Sequence, residues 1–417
     1  MENDNLSMTA PPKVVRVPGS KSLTQRALIA AALARDNSFI SNPLISEDTN
    51  YLMKGLRVLG AQIVSVSGGL YVNGTAGKLA NTGQQIFLGN NGTALRFLTA
   101  LVCLGEGEYV LTGEKRLCER PVGALAEALK KMGVNITCTN NCPPVTINAS
   151  GLDGGKISLK DVESSQYVSA LLLCAPYTEQ GIELTLRGRV ASLPYIDLTL
   201  AVMRDFGVKI ELEKNKYTAK GGNSYQGREY RVEGDASSAS YFFLAAAILQ
   251  RPIRVMGINR VSRQGDIRLL NIFEELGCRV ESQEDWVEVT GGSLAKGDFT
   301  FDLNDMPDMV PTLAMLAAFR QGKTTITNVE HLRIKESNRL AAMATELTRV
   351  GIKAKETEDG IIITGGKMKP AEIKTYNDHR IAMSFAIASL VVPGIGISDK
   401  KCVDKSFPEF WDELSKI

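Results

Sequence analysis

Histidine is nearly missing from this chain of 417 residues. It occurs only as His331 and His379, neither with a second histidine or cysteine at ligand spacing, which speaks against a histidine-built metal centre. Cysteine is sparse and scattered: Cys103, Cys118, Cys138, Cys142, Cys174, Cys278 and Cys402 make an odd seven with no C-x-x-C pair. That pattern argues against a disulfide framework and for free thiols in a reducing compartment, so the expected location is the cytoplasm. An excess of one charge is missing as well. The net charge is only +2, too balanced for a protein of nucleic acid or membrane surfaces, and neither partner is expected. Any anion site must therefore be a local cluster. The most apolar stretch, Ile381 to Ile397, is broken by Pro393-Gly394 and falls short of the ~18 unbroken residues a membrane span needs. The opening MENDNLSMTAPPK is acidic and has no apolar centre, unlike a secretory signal.

What is present is a repeat. Five helix-like segments end in an apolar residue, a glycine and then a strand: VLGAQI, KMGVNI, DFGVKI, ELGCRV and RVGIKA. Their glycines, Gly60, Gly133, Gly207, Gly277 and Gly351, recur every 70 to 74 residues. Glycine suits a left-handed helix cap before a strand, and each is followed by a short hairpin pattern. A second series recurs at the same period, with a polar loop feeding a helix of small apolar residues. Its slots are Ser22, Gly92, Ser165, Ser237, Asp308 and Asp378. These helices are apolar nearly all round, which predicts burial.

The length fits two domains of roughly 200 residues, hence three units each. Six units slightly overrun the chain, so the sixth is predicted to be incomplete or closed by the N-terminal strand. The expected division is 1–19 with 235–417 in one domain and 20–234 in the other; the boundary after three units falls near Glu233-Gly234-Asp235, so the chain crosses twice. Buried helices that run together aim their positive N-terminal ends at one region, and two such domains facing each other make a cleft for an anion.

The first slot reads VPGSKSLTQR. The nucleotide loop G-x-x-x-x-G-K-[ST] fails there, since Val15 and Ser20 occupy its glycine positions. A helix N-terminus with free N–H groups and one ammonium still suits an anion. Arg26, Arg120, Arg339 and Arg380 sit in or beside loops, and their forks suit phosphate and carboxylate oxygens. Taken singly, these arginines read equally as surface ion pairs. Ser164-Ser165-Gln166 suits a cap, but beside the equivalent Ser22 slot ligand hydrogen bonding is the better reading; Asp308 reads also as a cap and Lys335-Glu336 as a solvated helix face.

In order along the chain, PGSKS, GNNGTALR, ERPVGAL, SSQYVSALL, SLPYIDLT, GDASSASYF, RIKESNRL, TYNDHR and DKSFP resemble the motifs of the 5-enolpyruvylshikimate-3-phosphate synthase family of enolpyruvyl transferases. The resemblance covers essentially the whole chain. It implies an α/β fold: a two-domain inverse α/β barrel, three βαβαββ units per domain, with buried parallel helices and the site in the interdomain cleft. It implies transfer of the enolpyruvyl group of phosphoenolpyruvate to the 5-hydroxyl of shikimate 3-phosphate, releasing phosphate, in chorismate and aromatic amino acid biosynthesis. No metal or organic cofactor is implied, the expected form is a monomer, and glyphosate is implied as an inhibitor at the phosphoenolpyruvate position.

Carried over by motif, Lys21, Asp308 and Glu336 are the catalytic groups. Shikimate 3-phosphate is assigned to Lys21, Ser22, Arg26, Ser164, Ser165, Gln166, Ser192, Tyr195, Asp308, His331 and Lys335. Phosphoenolpyruvate is assigned to Lys21, Asn90, Gly92, Arg120, Gln166, Arg339, His379, Arg380 and Lys405. Four positions depart from the commoner pattern: Gln25 for Asn, Asn91 for a small residue, Phe97 for Pro, and His331 for Asn. Asn91 and Phe97 flank the Gly92-Thr93 turn, where reduced glyphosate sensitivity is expected, and Gly92 is expected to let the backbone approach the ligand. Two alternatives remain at this point. One is the same fold acting on UDP-N-acetylglucosamine, against which SSQYVSALL and SLPYIDLT argue, with Cys118 the nearest thiol to Arg120. The other is a non-catalytic anion-binding protein, against which Lys21, Asp308 and Glu336 argue.

Overall fold

The computed structural model describes residues 11–417. The acidic opening segment, and with it the first ten residues of the 1–19 stretch, lies outside the described residues. The five repeat glycines, Gly60, Gly133, Gly207, Gly277 and Gly351, all have φ between 86° and 102°. Each reverses a helix into a strand in the left-handed conformation that a side chain would strain.

The six small-residue helices are Lys21–Leu33, Gly92–Leu101, Ser165–Cys174, Ala236–Leu249, Val310–Phe319 and His379–Ser389. They are buried along nearly their whole lengths, as their apolar circumference predicts. The last three pack on one another, and Gly92–Leu101 packs against both Lys21–Leu33 and Ser165–Cys174. Alanine and serine allow this close approach. Two hydrophobic cores result. One is built from residues between Leu23 and Val232, the other from Val15, Val17 and residues between Ala236 and Leu414.

Among the described residues, five sheets have four strands and one has two. Each four-stranded sheet is a parallel pair followed by an antiparallel hairpin. Phe299–Asp302, for example, runs parallel to Lys323–Thr327, which pairs with the hairpin Ile361–Thr364 and Lys353–Glu356. In two sheets the leading strand comes from far along the chain. Lys13–Arg16 pairs with Pro252–Met256, and Glu229–Arg231 pairs with Asn37–Ser41. The two crossing segments lie side by side: Ser20 N–H donates to the Glu233 carbonyl (2.7 Å) and Asp235 N–H to the Pro18 carbonyl (2.8 Å). The sixth sheet, Glu372–Ile373 with Gly396–Ile397, has no hairpin among the described residues, so the sixth unit is incomplete, as its length predicts, and the N-terminal strand closes the sheet of Pro252–Met256 rather than this one. After Ile397 the sequence SDKKCVDKSFP has no strand alternation, and forms the 3-10 turn Lys401–Lys405 instead. No helix among the described residues is long and apolar enough to cross a membrane.

The strand Lys13–Arg16 gives a direct test of phase. Val15 is 1% exposed and Val14 is 49% exposed. Val15→Asp buries an unpaired carboxylate and is expected to cost several kcal/mol in denaturant unfolding, whereas Val14→Asp should stay within about 0.5 kcal/mol of the parent. Equal effects would contradict the register.

Candidate active site

Five of the six buried helices start with a side-chain cap: Ser20 accepts from Leu23 N–H, Asn91 from Ala94 N–H, Ser164 from Gln166 N–H, Asp235 from Ser238 N–H and Asp378 from Arg380 N–H. The remaining one, Val310–Phe319, is preceded by the 3-10 turn Pro307–Met309, and Asp308 there caps nothing. Its carboxylate is free for other partners. These six N-terminal turns gather where the two cores meet.

A cleft at that place is lined from the 20–234 side by Lys21, Ser22, Arg26, Thr93, Arg120, Ser164, Ser165, Gln166, Ser192 and Tyr195. From the other side come Pro307, Asp308, Lys335 and Glu336. Asn90, Gly92, Arg339, Arg380 and Lys405 stand behind these, each in contact with a lining residue or its partner. Arg339 donates to Asp308 (2.8 Å), Glu336 (2.7 Å) and Asp378 (2.8 Å). Arg380 donates to Asp308 (2.6 Å). Lys405 donates to Asp48 (2.7 Å) and to the Asn90 carbonyl (3.0 Å), which also accepts from Arg120. His379 is fully buried beside Asp378 with neither ring nitrogen hydrogen-bonded. His331 lines a neighbouring groove with Asp161, Glu163, Arg189 and Glu330, and the charges of Lys335 and Asp308 in the cleft act on it.

The charges are arranged for anions. Six cations (Lys21, Arg120, Lys335, Arg339, Arg380 and Lys405) meet four carboxylates, Asp48, Asp308, Glu336 and Asp378. Burial alone would raise the Asp308 carboxyl, but Arg380, Arg339 and Lys335 outweigh it and hold the group well below the usual range. Burial opposes ionisation of Glu336 in the same way, and Arg339, Arg120 and Lys21 overcome it. Both are ionised at neutral pH. Loss of solvent pulls Lys335 down to about 8, countered only in part by Asp308 and Glu336. Desolvation also lowers His331 to about 3 and holds His379 well below its ordinary value, so both rings are neutral. Buried pairs of this kind add little to stability. What they do is keep cations desolvated and fixed in place.

The departures from the common motifs find partners. Asn91 donates to Gln25 Oε1 (2.9 Å) and to the Asp48 carbonyl (2.7 Å), so two of the four unusual residues bond each other. Phe97 lies within the helix Gly92–Leu101, its ring 5.3 Å from the Arg26 guanidinium. Arg26 itself is committed to Thr199, Tyr195 and Ser22. At Gly92 the glycine has a reason within the protein itself: a Cβ would lie 2.5 Å from the Arg120 guanidinium, so the absent side chain makes room for that arginine.

Several residues that hold the site were given no role from the sequence. Asp48 joins Lys21 (3.1 Å) to Lys405 across the two halves. Arg96 holds the Gln166 amide oxygen (2.7 Å). Asp266 accepts from Tyr195 (3.1 Å) and from Ser237, and burial together with the charge of Asp308 pushes it up to about 6.

Comparison with known proteins agrees with this geometry. Residues 10–414 match the family model described as EPSP synthase (3-phosphoshikimate 1-carboxyvinyltransferase). The 3-phosphoshikimate 1-carboxyvinyltransferase of Nostoc punctiforme is 43% identical over 408 residues, 97% of this chain and 96% of that protein. The protein of the same name from Klebsiella pneumoniae is 42% identical over 411 residues, again 97% and 96%. The solved EPSP synthase of Acinetobacter baumannii superposes with a TM-score of 0.79 at 28% identity, covering 98% of this chain and 97% of that one. By sequence and by fold, the chain belongs to the EPSP synthase (3-phosphoshikimate 1-carboxyvinyltransferase) family.

Proposed function

We propose that this cleft transfers the enolpyruvyl group of phosphoenolpyruvate to the 5-hydroxyl of shikimate 3-phosphate, and that the catalytic groups are Asp308, Glu336 and Lys21. The observation that carries the assignment is Asp308. It is an uncapped carboxylate between Arg339 and Arg380, ionised at neutral pH and facing the cleft opposite Lys21. In this reading Asp308 takes the proton of the 5-hydroxyl as its oxygen bonds to C2 of phosphoenolpyruvate. Lys21 gives a proton to the methylene carbon, which becomes a methyl group on a tetrahedral centre. Glu336 then takes a proton from that methyl and returns it to Lys21. The carbon–oxygen bond to the phosphate breaks, and the proton held by Asp308 leaves with it. Atoms and charge balance.

Ser164, Ser165, Gln166, Ser192, Tyr195 and Lys335 line one part of the cleft and suit the shikimate 3-phosphate end. Arg120, with Arg339, Arg380 and Lys405 behind it, suits the phosphate and carboxylate of phosphoenolpyruvate and the phosphate as it departs. His331 lines the neighbouring groove, yet the charges of Lys335 and Asp308 act on it, so a contact from its neutral ring to shikimate 3-phosphate stays part of this reading. The two cores support a division at the crossing segments near Gly19 and Gly234, with the substrates held between the halves.

A phosphate-release assay tests the reaction. Release is expected with phosphoenolpyruvate and shikimate 3-phosphate and not with UDP-N-acetylglucosamine as acceptor; the reverse preference contradicts the proposal. Asp308→Ala should lower turnover by about a hundredfold or more while leaving the circular dichroism spectrum unchanged; near-normal turnover removes Asp308 from the mechanism.

The low Lys335 value gives a pH dependence of known sign. Below about 8 its ammonium is charged and attracts a phosphate; above it the group is neutral and that attraction is lost. The kcat/KM for shikimate 3-phosphate should therefore fall as pH rises through about 8, and Lys335→Arg should remove that limb. A limb unchanged in Lys335→Arg would assign it to another group.

A further inference from the structure

The turn that presents Arg120 also carries an arginine that never reaches the cleft. Arg116 stands just before the 3-10 turn Leu117–Glu119, its side chain 31% exposed. Its guanidinium points across to the other half. Nε donates to the Lys335 carbonyl (3.1 Å), and one terminal nitrogen donates to the carbonyls of Lys335 (2.9 Å) and Arg333 (3.2 Å). The other terminal nitrogen donates to Glu119 (3.1 Å) on its own turn, which fixes the direction of the fork.

These acceptors are special by position. Arg333 and Lys335 lie at the end of the 3-10 turn Glu330–Ile334, before the helix Arg339–Arg349 begins. Neither carbonyl accepts a backbone hydrogen bond from this connecting segment. Four residues beyond Arg116, Arg120 sits 3.7 Å from the Glu336 carboxylate. A single turn therefore grips one segment twice, by its backbone through Arg116 and by its carboxylate through Arg120. The far end of the segment is held separately, where Glu330 pairs with Arg189 (2.7 Å). That pair is exposed on both sides and joins side chains only, so it fixes the backbone less firmly.

We infer that Arg116 is a positioning residue, whose guanidinium fastens the 333–336 backbone to the Arg120 turn and thereby sets Lys335 and Glu336 for turnover. It works only when the halves are together, since its donors and acceptors belong to different cores. A fork is required. One ammonium is a point donor, whereas the guanidinium spans two carbonyls while keeping its own turn partner. Small misplacement of a reacting group is costly in rate even when binding survives. The inference rests on the roles proposed above for Lys335 and Glu336.

The test uses the full chain as parent, Arg116→Ala and Arg116→Lys. In Arg116→Ala, kcat is expected to fall on the order of tenfold, with the KM for phosphoenolpyruvate and for shikimate 3-phosphate within about twofold of the parent. The melting temperature of the ligand-free protein should not move. Arg116→Lys should recover only part of the lost kcat. Hydrogen exchange at the 333–336 amides, measured with shikimate 3-phosphate and inorganic phosphate present, should be faster in Arg116→Ala than in the parent. A parental kcat in Arg116→Ala overturns the inference. So does a fall in kcat matched by a lower ligand-free melting temperature, which would mark Arg116 as structural. Should the parent itself not turn over these substrates, the functional reading fails instead. The exchange comparison in inorganic phosphate then decides the fastening alone, and equal exchange in the two proteins overturns it.

Discussion

Buried positive charge needs a counter-charge while it waits for a ligand, and much of this molecule is organised around that need. Lys21 and Lys405 come from different halves, yet both rest on Asp48. Arg339 reaches three carboxylates and shares Asp308 with Arg380. Without Asp48, Asp308, Glu336 and Asp378, these cations would be held together against their own repulsion and their lost hydration. With them, the site is a set of ion pairs that a doubly charged ligand can reorganise. In the mechanism proposed above, two of these carboxylates, Asp308 and Glu336, serve twice, as counter-ions at rest and as proton acceptors during reaction.

That arrangement depends on the helices. Their small residues let them bundle, and the bundling brings six N-terminal turns to one place, where free N–H groups and dipoles add to the field of the cations. Exchange of the leading strands binds the two halves at the crossing point, so that they meet along the cleft while remaining two separate cores.

Much of this was legible in the sequence because it repeats. Five glycines at one period announced the helix reversals, and each has the positive φ that the reading required. The polar slots announced the helix starts, and most of the residues placed there line the cleft or stand directly behind it. What escaped was long-range pairing. Nothing in SEDTN marks Asp48 as the partner of a lysine 357 positions away. The part Gly92 plays in making room for Arg120 was hidden likewise, because that arginine lies on another loop. The groove that His331 shares with Arg189 and Glu330 was hidden too, since it is made by the 3-10 turn Glu330–Ile334 meeting another loop. Asp266 had no period to reveal it, because its role comes from contact with Tyr195 and Ser237 rather than from a slot in the repeat.

The charges shared between the two halves, with Lys405 on Asp48 and Arg120 beside Glu336, lead us to propose that anionic substrates complete this balance and so draw the halves together. Small-angle X-ray scattering tests it most directly. The radius of gyration should be smaller with saturating shikimate 3-phosphate and inorganic phosphate than without ligand, and the contraction should weaken as added salt screens the cleft. An unchanged radius of gyration at saturating ligand and low salt would contradict the account.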